Sequence, residues 1–277
     1  MLLDSYLNVY LAGAVELGYM GGMDTKNVIK TTAAGVNDRH KSGKRREIAL
    51  DQRIIFALDL PEPEQALAWV ERLGGRVRFF KVGLELFTAG WWPVVDAITG
   101  RGHQVMLDLK FYDIPETVYR AVRRLREHGV SLATVHGNRA MVQAAAQAAA
   151  GDLRILAVTV LTSIGEDELA EMGWGGTAEE LVLLRARKAL EAGCAGVVAS
   201  AREAAQLRAR LGEDFLVVTP GIRPAGSGSG DDQRRVAGAG LAICQGADHL
   251  VVGRPIRDAH DPLAVVAGLQ AEIAAVL

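Results

Sequence analysis

From Ile54 to its end the chain alternates short β-branched or apolar runs with amphipathic stretches rich in Ala and Arg, and it does so eight times. The apolar runs are Ile54–Leu60, Phe79–Gly83, Gln104–Lys110, Leu132–Gly137, Arg154–Leu161, Gly196–Ser200, Phe215–Ile222 and His249–Ile256. Each is strand-sized, and each is followed by a helix-sized pattern, which is the signature of a βα unit. Eight such units across residues 54–277 predict an α/β fold, a (β/α)8 TIM barrel. A doubly wound open sheet is the alternative. It usually carries a Gly-rich dinucleotide turn after its first strand, and Asp59-Leu60-Pro61-Glu62-Pro63 is no such turn.

Composition narrows the kind of partner. A chain of 277 residues that is 49% hydrophobic can bury a large core, and the barrel count favours one domain over two. A net charge of −2 with a pI near 6.3 gives no bulk attraction to nucleic acid or to an anionic membrane, so small-molecule chemistry is expected. Cys194 and Cys244 are too few and too far apart for a disulfide framework or a zinc site, which fits a reducing cytoplasm. No apolar run reaches membrane-spanning length. The mildly apolar Val9–Val15 follows the acidic Asp4 rather than a basic region and makes a poor signal peptide. Residues 1–53 show no clear helical or strand period and close on the basic run Lys41-Ser42-Gly43-Lys44-Arg45-Arg46. A run this short reads as a solvated linker rather than a nucleic-acid arm. The extension is expected to be poorly ordered and dispensable for activity, and Met23 offers an alternative start.

The chemistry gathers where a barrel performs it, at the C-terminal ends of the strands. Asp59 ends the first run, Lys81 lies in the second, Asp108 and Lys110 in the third, and His136 ends the fourth. The fifth runs into Thr162-Ser163, the seventh into Gly221-Ile222-Arg223, and the eighth into Gly253-Arg254. The third run carries the strongest signal. Side chains alternate along a strand, so Met106, Asp108 and Lys110 share one face while Val105, Leu107 and Leu109 share the other. Asp113, three residues past Lys110, can fold back toward the ammonium or reach a second subunit. The carboxylates favour the charged form of Lys110. A positioned ammonium of this kind can stabilise a developing carbanion and deliver a proton to it. The competing explanation is a salt-bridged lysine that merely caps a strand.

Taken together, Phe56-Ala57-Leu58-Asp59, Phe80-Lys81-Val82-Gly83, Asp108-Leu109-Lys110-Phe111-Tyr112-Asp113-Ile114-Pro115, Val158-Thr159-Val160-Leu161-Thr162-Ser163, Thr219-Pro220-Gly221-Ile222-Arg223-Pro224 and Val252-Gly253-Arg254-Pro255-Ile256 resemble the bacterial-type orotidine 5′-phosphate decarboxylase family from about Ile54 onward. The resemblance implies decarboxylation of orotidine 5′-monophosphate to UMP and CO2 in de novo pyrimidine synthesis, with no cofactor and no metal. It implies that Lys81, Asp108, Lys110 and Asp113 form an alternating charge network, with Asp108 against the departing carboxylate and Lys110 stabilising and protonating C6. It also implies a homodimer in which Asp113 and Thr117 cross to the neighbouring site. Asp59 and Lys81 would hold ribose, Thr162 and Ser163 the pyrimidine edge and its surroundings, and Ile114 would line the substrate site. Arg223, Gln233, Gly253 and Arg254 would hold phosphate, with the loop from Pro224 to Asp232 as a lid.

Two segments depart from the family pattern. The Gly-Gly pair that usually follows the fourth-strand histidine is missing from Val135-His136-Gly137-Asn138-Arg139-Ala140, which makes His136 read as a satisfied core histidine. Gly230-Asp231-Asp232-Gln233 is one residue longer than its family counterpart, which shifts the register of Gln233. Sugar-phosphate enzymes of the wider superfamily share Asp-x-Lys-x-x-Asp but place an acidic magnesium ligand at the second strand, where this chain has Lys81. A non-catalytic phosphate-binding barrel would have no use for buried charges that are costly to keep.

Overall fold

The structure, a computed structural model, describes residues 48–223 and 237–277. In chain order the elements are α1 (Leu50–Arg53), β1 (Ile54–Ala57), α2 (Pro63–Leu73), β2 (Phe79–Gly83), α3 (Leu84–Thr99), β3 (Gln104–Phe111), α4 (Pro115–Leu125), β4 (Leu132–Val135), α5 (Arg139–Ala148), β5 (Arg154–Val158), α6 (Glu166–Glu171), α7 (Ala178–Glu191), β6 (Gly196–Val198), α8 (Ala201–Leu211), β7 (Leu216–Thr219), α9 (Ala239–Cys244), β8 (His249–Val252), α10 (Arg254–Arg257) and α11 (Pro262–Ala274). The strands close into a barrel in sequence order, and β8 returns to pair in parallel with β1. The expected (β/α)8 barrel is the observed fold.

Alternation along the strands produces two cores. Ile55, Phe79, Met106, Leu132, Leu156, Leu216 and Val218 point inward and plug the barrel, while their neighbours Phe56, Phe80, Leu107, Ala133 and Val217 point outward into the layer shared with the helices. Gly196 is required by this packing, since a Cβ there would collide with the carbonyl oxygen of Leu216 on β7.

Several runs overshoot the strands they predict. β1, β4, β5, β6, β7 and β8 all stop two to four residues before the apolar run ends. Leu58, Val160, Ile222 and Ile256 stay buried after their strands have ended, so the apolar pattern continues into the segments that follow, including α10. At the other end the folded body begins before Ile54. α1 seals the N-terminal mouth, where Arg53 Nη1 donates to the Asp248 carbonyl at 3.1 Å and His249 Nδ1 donates to the Gln52 carbonyl at 2.9 Å. The last residues assigned to the extension therefore belong to the barrel, and the rest of it lies outside the described residues.

Candidate active site

The inward position two residues beyond the plug is where the barrel changes character. On β5 and β6 it holds Val158 and Val198, but on β2, β3 and β4 it holds Lys81, Asp108 and Thr134. Asp59, just past the end of β1, leans over the same place. The result is a linear chain of alternating charge. Asp59 Oδ1 accepts from Lys81 Nζ at 2.7 Å, Lys81 Nζ lies 3.9 Å from Asp108 Oδ2, and Lys110 Nζ sits 3.0 Å from both oxygens of Asp108. The middle of the chain is the drier part: the side chains of Lys81 and Asp108 are 10% and 14% exposed, against 51% for Asp59 and 35% for Lys110. A buried carboxylate without partners would be strongly disfavoured, and Asp108 is offset by an ammonium on either side.

Lys110 reaches this place through an irregular backbone. Its φ is +49°, uncommon for a residue with a side chain, and the β3–β4 register jumps from Leu107↔Ala133 to Phe111↔Val135. Asp108, Leu109 and Lys110 thus lie opposite Thr134 alone, a β-bulge of the kind that re-aims side chains near active sites. Thr134 is fully buried, and its hydroxyl donates to Asp108 Oδ1 at 2.8 Å and accepts the Lys110 N–H at 3.0 Å.

Around this chain opens a cavity of about 480 Å³, lined also by Thr162, Ser163, Arg223, Gly253 and Arg254. That is a ligand-sized volume. Arg257 lines it too, fixing the β1 exit by donating to the Asp59 carbonyl at 2.9 Å. The same guanidinium, hydrogen-bonded to Asp258, holds that carboxyl below the usual range. Neither Thr134 nor Arg257 was singled out in the sequence. The only signals were a polar residue in an otherwise apolar strand and a second arginine three residues after Arg254. Behind the β5 exit Arg185 Nη1 donates to the Thr159 carbonyl at 2.6 Å, which braces the segment leading to Thr162 and Ser163.

Other expected residues lie elsewhere in this chain. Asp113 does not fold back on Lys110: it is exposed, and its Oδ1 accepts the N–H of Ile114 at 2.7 Å. Ile114 is 64% exposed and Thr117 is exposed, and neither lines the cavity. Gln233 and the lid from Pro224 to Asp232 lie outside the described residues. His136 is half-buried rather than a satisfied core histidine: its ring meets Tyr112 edge-on, and its enclosed Nδ1 has no hydrogen-bond partner. Burial first, then the charges of Arg185 and Lys110, lowers its pKa to about 4 and leaves the imidazole neutral. A larger cavity, about 940 Å³, opens at the opposite mouth beside Gln52, Arg154 and His249, far from the paired lysines and aspartates.

The sequence and the fold both match known proteins. A sequence profile described as the orotidine 5′-phosphate decarboxylase / HUMPS family matches residues 52–269. The chain is 51% identical over 232 residues to an orotidine 5′-phosphate decarboxylase of Xanthomonas axonopodis pv. citri, covering 83% of this chain and 95% of that one. It is 49% identical to the Methylococcus capsulatus protein of the same name, covering 82% and 94%. Among solved structures, orotidine 5′-phosphate decarboxylase from Lactobacillus acidophilus superposes with a TM-score of 0.71 at 36% identity, over 80% of this chain and 99% of that one. A charge chain at the C-terminal mouth of an eight-stranded barrel, with sequence matched from Gln52 to Leu269, thus makes this chain a member of the orotidine 5′-phosphate decarboxylase / HUMPS family.

Proposed function

We propose that this chain decarboxylates orotidine 5′-monophosphate to UMP and CO2 in pyrimidine synthesis, without metal or organic cofactor. The observation that carries the reading is the Asp59–Lys81–Asp108–Lys110 chain, since breaking the C6–carboxylate bond leaves an electron pair in the ring plane, out of conjugation. Only an electrostatic partner can stabilise it there. Lys110 is that partner: as CO2 leaves, an Nζ proton moves to C6 and the neutral amine recovers a proton from solvent. Asp108, already hydrogen-bonded by Lys110 and Thr134, faces the departing carboxylate and loses an unfavourable contact when it goes. Lys81 and Lys110 flank Asp108 where a divalent cation would need its oxygens, which favours the metal-free reaction over enediolate chemistry.

The remaining residues grip substrate. Asp59 and Lys81 hold ribose, Thr162 and Ser163 meet the pyrimidine edge, and Arg223, Gln233, Gly253 and Arg254 hold phosphate, whose binding energy supports reaction at the distant carbon. The working unit is a homodimer, with Asp113, Ile114 and Thr117 serving the neighbouring site. Supporting this are the exposure of Asp113 and the large apolar side chains exposed nearby in sequence or on the preceding βα unit: Ile114 at 64%, Trp91 at 61% and Leu84 at 59%. The test is the fall in ultraviolet absorbance of orotidine 5′-monophosphate in EDTA, run beside a ketose phosphate with magnesium. Conversion of the nucleotide in EDTA is the expected result, and turnover of the sugar phosphate alone would overturn the proposal.

A further inference from the structure

Thr134 touches no part of the cavity, yet its hydroxyl bonds both to the Asp108 carboxylate and to the backbone of Lys110. Packing does not demand a hydroxyl there, because the corresponding inward positions on β5 and β6 are Val158 and Val198, of nearly the same shape. What demands it is the bulge. With Asp108, Leu109 and Lys110 opposite one residue of β4, the Lys110 N–H meets the Thr134 side chain in place of a ladder carbonyl. A hydroxyl has one proton and two lone pairs. By accepting from Lys110 N it directs its proton to Asp108 Oδ1, so one group fixes the left-handed backbone of Lys110 and the orientation of Asp108.

We propose that Thr134 is a positioning residue of the reaction, locking the Asp108 carboxylate and the Lys110 ammonium into one fixed geometry. The inference rests on the reading of Lys110 as proton donor. Without the hydroxyl, Lys110 N–H and Asp108 Oδ1 each lose a partner, the bulge relaxes, and the ammonium no longer waits where the carbanion forms. Substrate grip, which depends on other residues, should persist. Displacements of about 1 Å in such arrangements cost on the order of 100-fold in rate.

The experiment compares Thr134→Val, Thr134→Ser and Lys110→Ala. Steady-state turnover is divided by the concentration of UMP-binding sites titrated calorimetrically, so that loss of folded protein cannot pass for loss of catalysis. Thr134→Val is expected to lower kcat per site by about 10- to 100-fold with KM and UMP affinity near wild type. Thr134→Ser is expected to retain most of kcat. A Thr134→Val loss below about tenfold per site, a parallel loss of UMP affinity, or failure of serine to rescue would each overturn the inference. Should the valine variant yield no folded protein, Thr134→Ala is judged by the same criteria. An active Lys110→Ala would overturn the underlying mechanism, whereas an inactive Lys110→Ala beside a fully active Thr134→Val would overturn only the role of Thr134.

Discussion

His136 should make the barrel lose stability in mild acid, and the size of the loss follows from its surroundings. Burial of the imidazole, and then the charges of Arg185 and Lys110, lower its pKa from 6.5 to about 4. Above pH 6.5 it is neutral in both the folded and the unfolded chain and does not affect the balance. As pH falls through that value the unfolded chain takes up a proton while the folded chain does not until about pH 4. Stability therefore drops across this window, by about 3 kcal/mol at its acid end, at about 1.4 kcal/mol per decade. His136→Gln removes the titrating group but leaves His103 and His249, whose pKa values burial also lowers, as a shared background. Urea unfolding of both proteins from about pH 7 to about pH 4 should show the gap between them shifting toward the variant by about 3 kcal/mol. Parallel pH dependences would show that His136 is protonated at its ordinary pKa in the folded protein, and the description of its environment would be wrong.

Other consequences are equally open to measurement. Arg208 Nη2 meets Asp248 Oδ2 at 2.6 Å beneath the barrel, both side chains nearly buried, and Asp248 Oδ2 also accepts the Val217 N–H at 2.8 Å. Arg208→Met should cost about 3–5 kcal/mol in urea unfolding by removing the guanidinium that meets a buried carboxylate, with KM unchanged in the protein that remains folded. If Asp113 serves the neighbouring site, Asp113→Ala and Lys110→Ala should each be inactive alone. Refolded together in equal amounts, they should recover about a quarter of wild-type activity through hybrid dimers that hold one intact site. Failure to recover any activity from demonstrable hybrids would place Asp113 in its own chain's site. A substrate lacking the phosphate should lose kcat/KM by well over tenfold, the remote group being what supports reaction at C6.

The barrel was legible because eight strand-sized apolar runs alternate with helix-sized stretches, whereas the assignment of Phe79 and Phe80 to opposite cores comes from the structure. Strand ends were not legible, since Leu58 and Val160 stay in the core past the last strand residues and look no different from them in sequence. The pairing of Asp108 with Lys110 was legible because side chains alternate along a strand. The bulge beneath them was not. A left-handed position is normally betrayed by glycine, and here it is occupied by lysine and held by a threonine that looks like any strand residue. Asp113 was given two destinations, and only the turn at Ile114 removes the first. His136 reads from the sequence as a satisfied core histidine, yet it is half-buried with an unpartnered Nδ1, because both depend on neighbours that sequence spacing does not reveal.

The central claim, that Lys110 delivers the proton that replaces CO2, is tested most directly by running the reaction in heavy water and following CO2 release together with deuterium at C6 of UMP. Wild-type protein should release CO2 and place one deuterium at C6, while Lys110→Ala, with UMP affinity retained, should do neither at a measurable rate. Turnover by Lys110→Ala within about tenfold of wild type would contradict the account and pass the proton donor's role to another group.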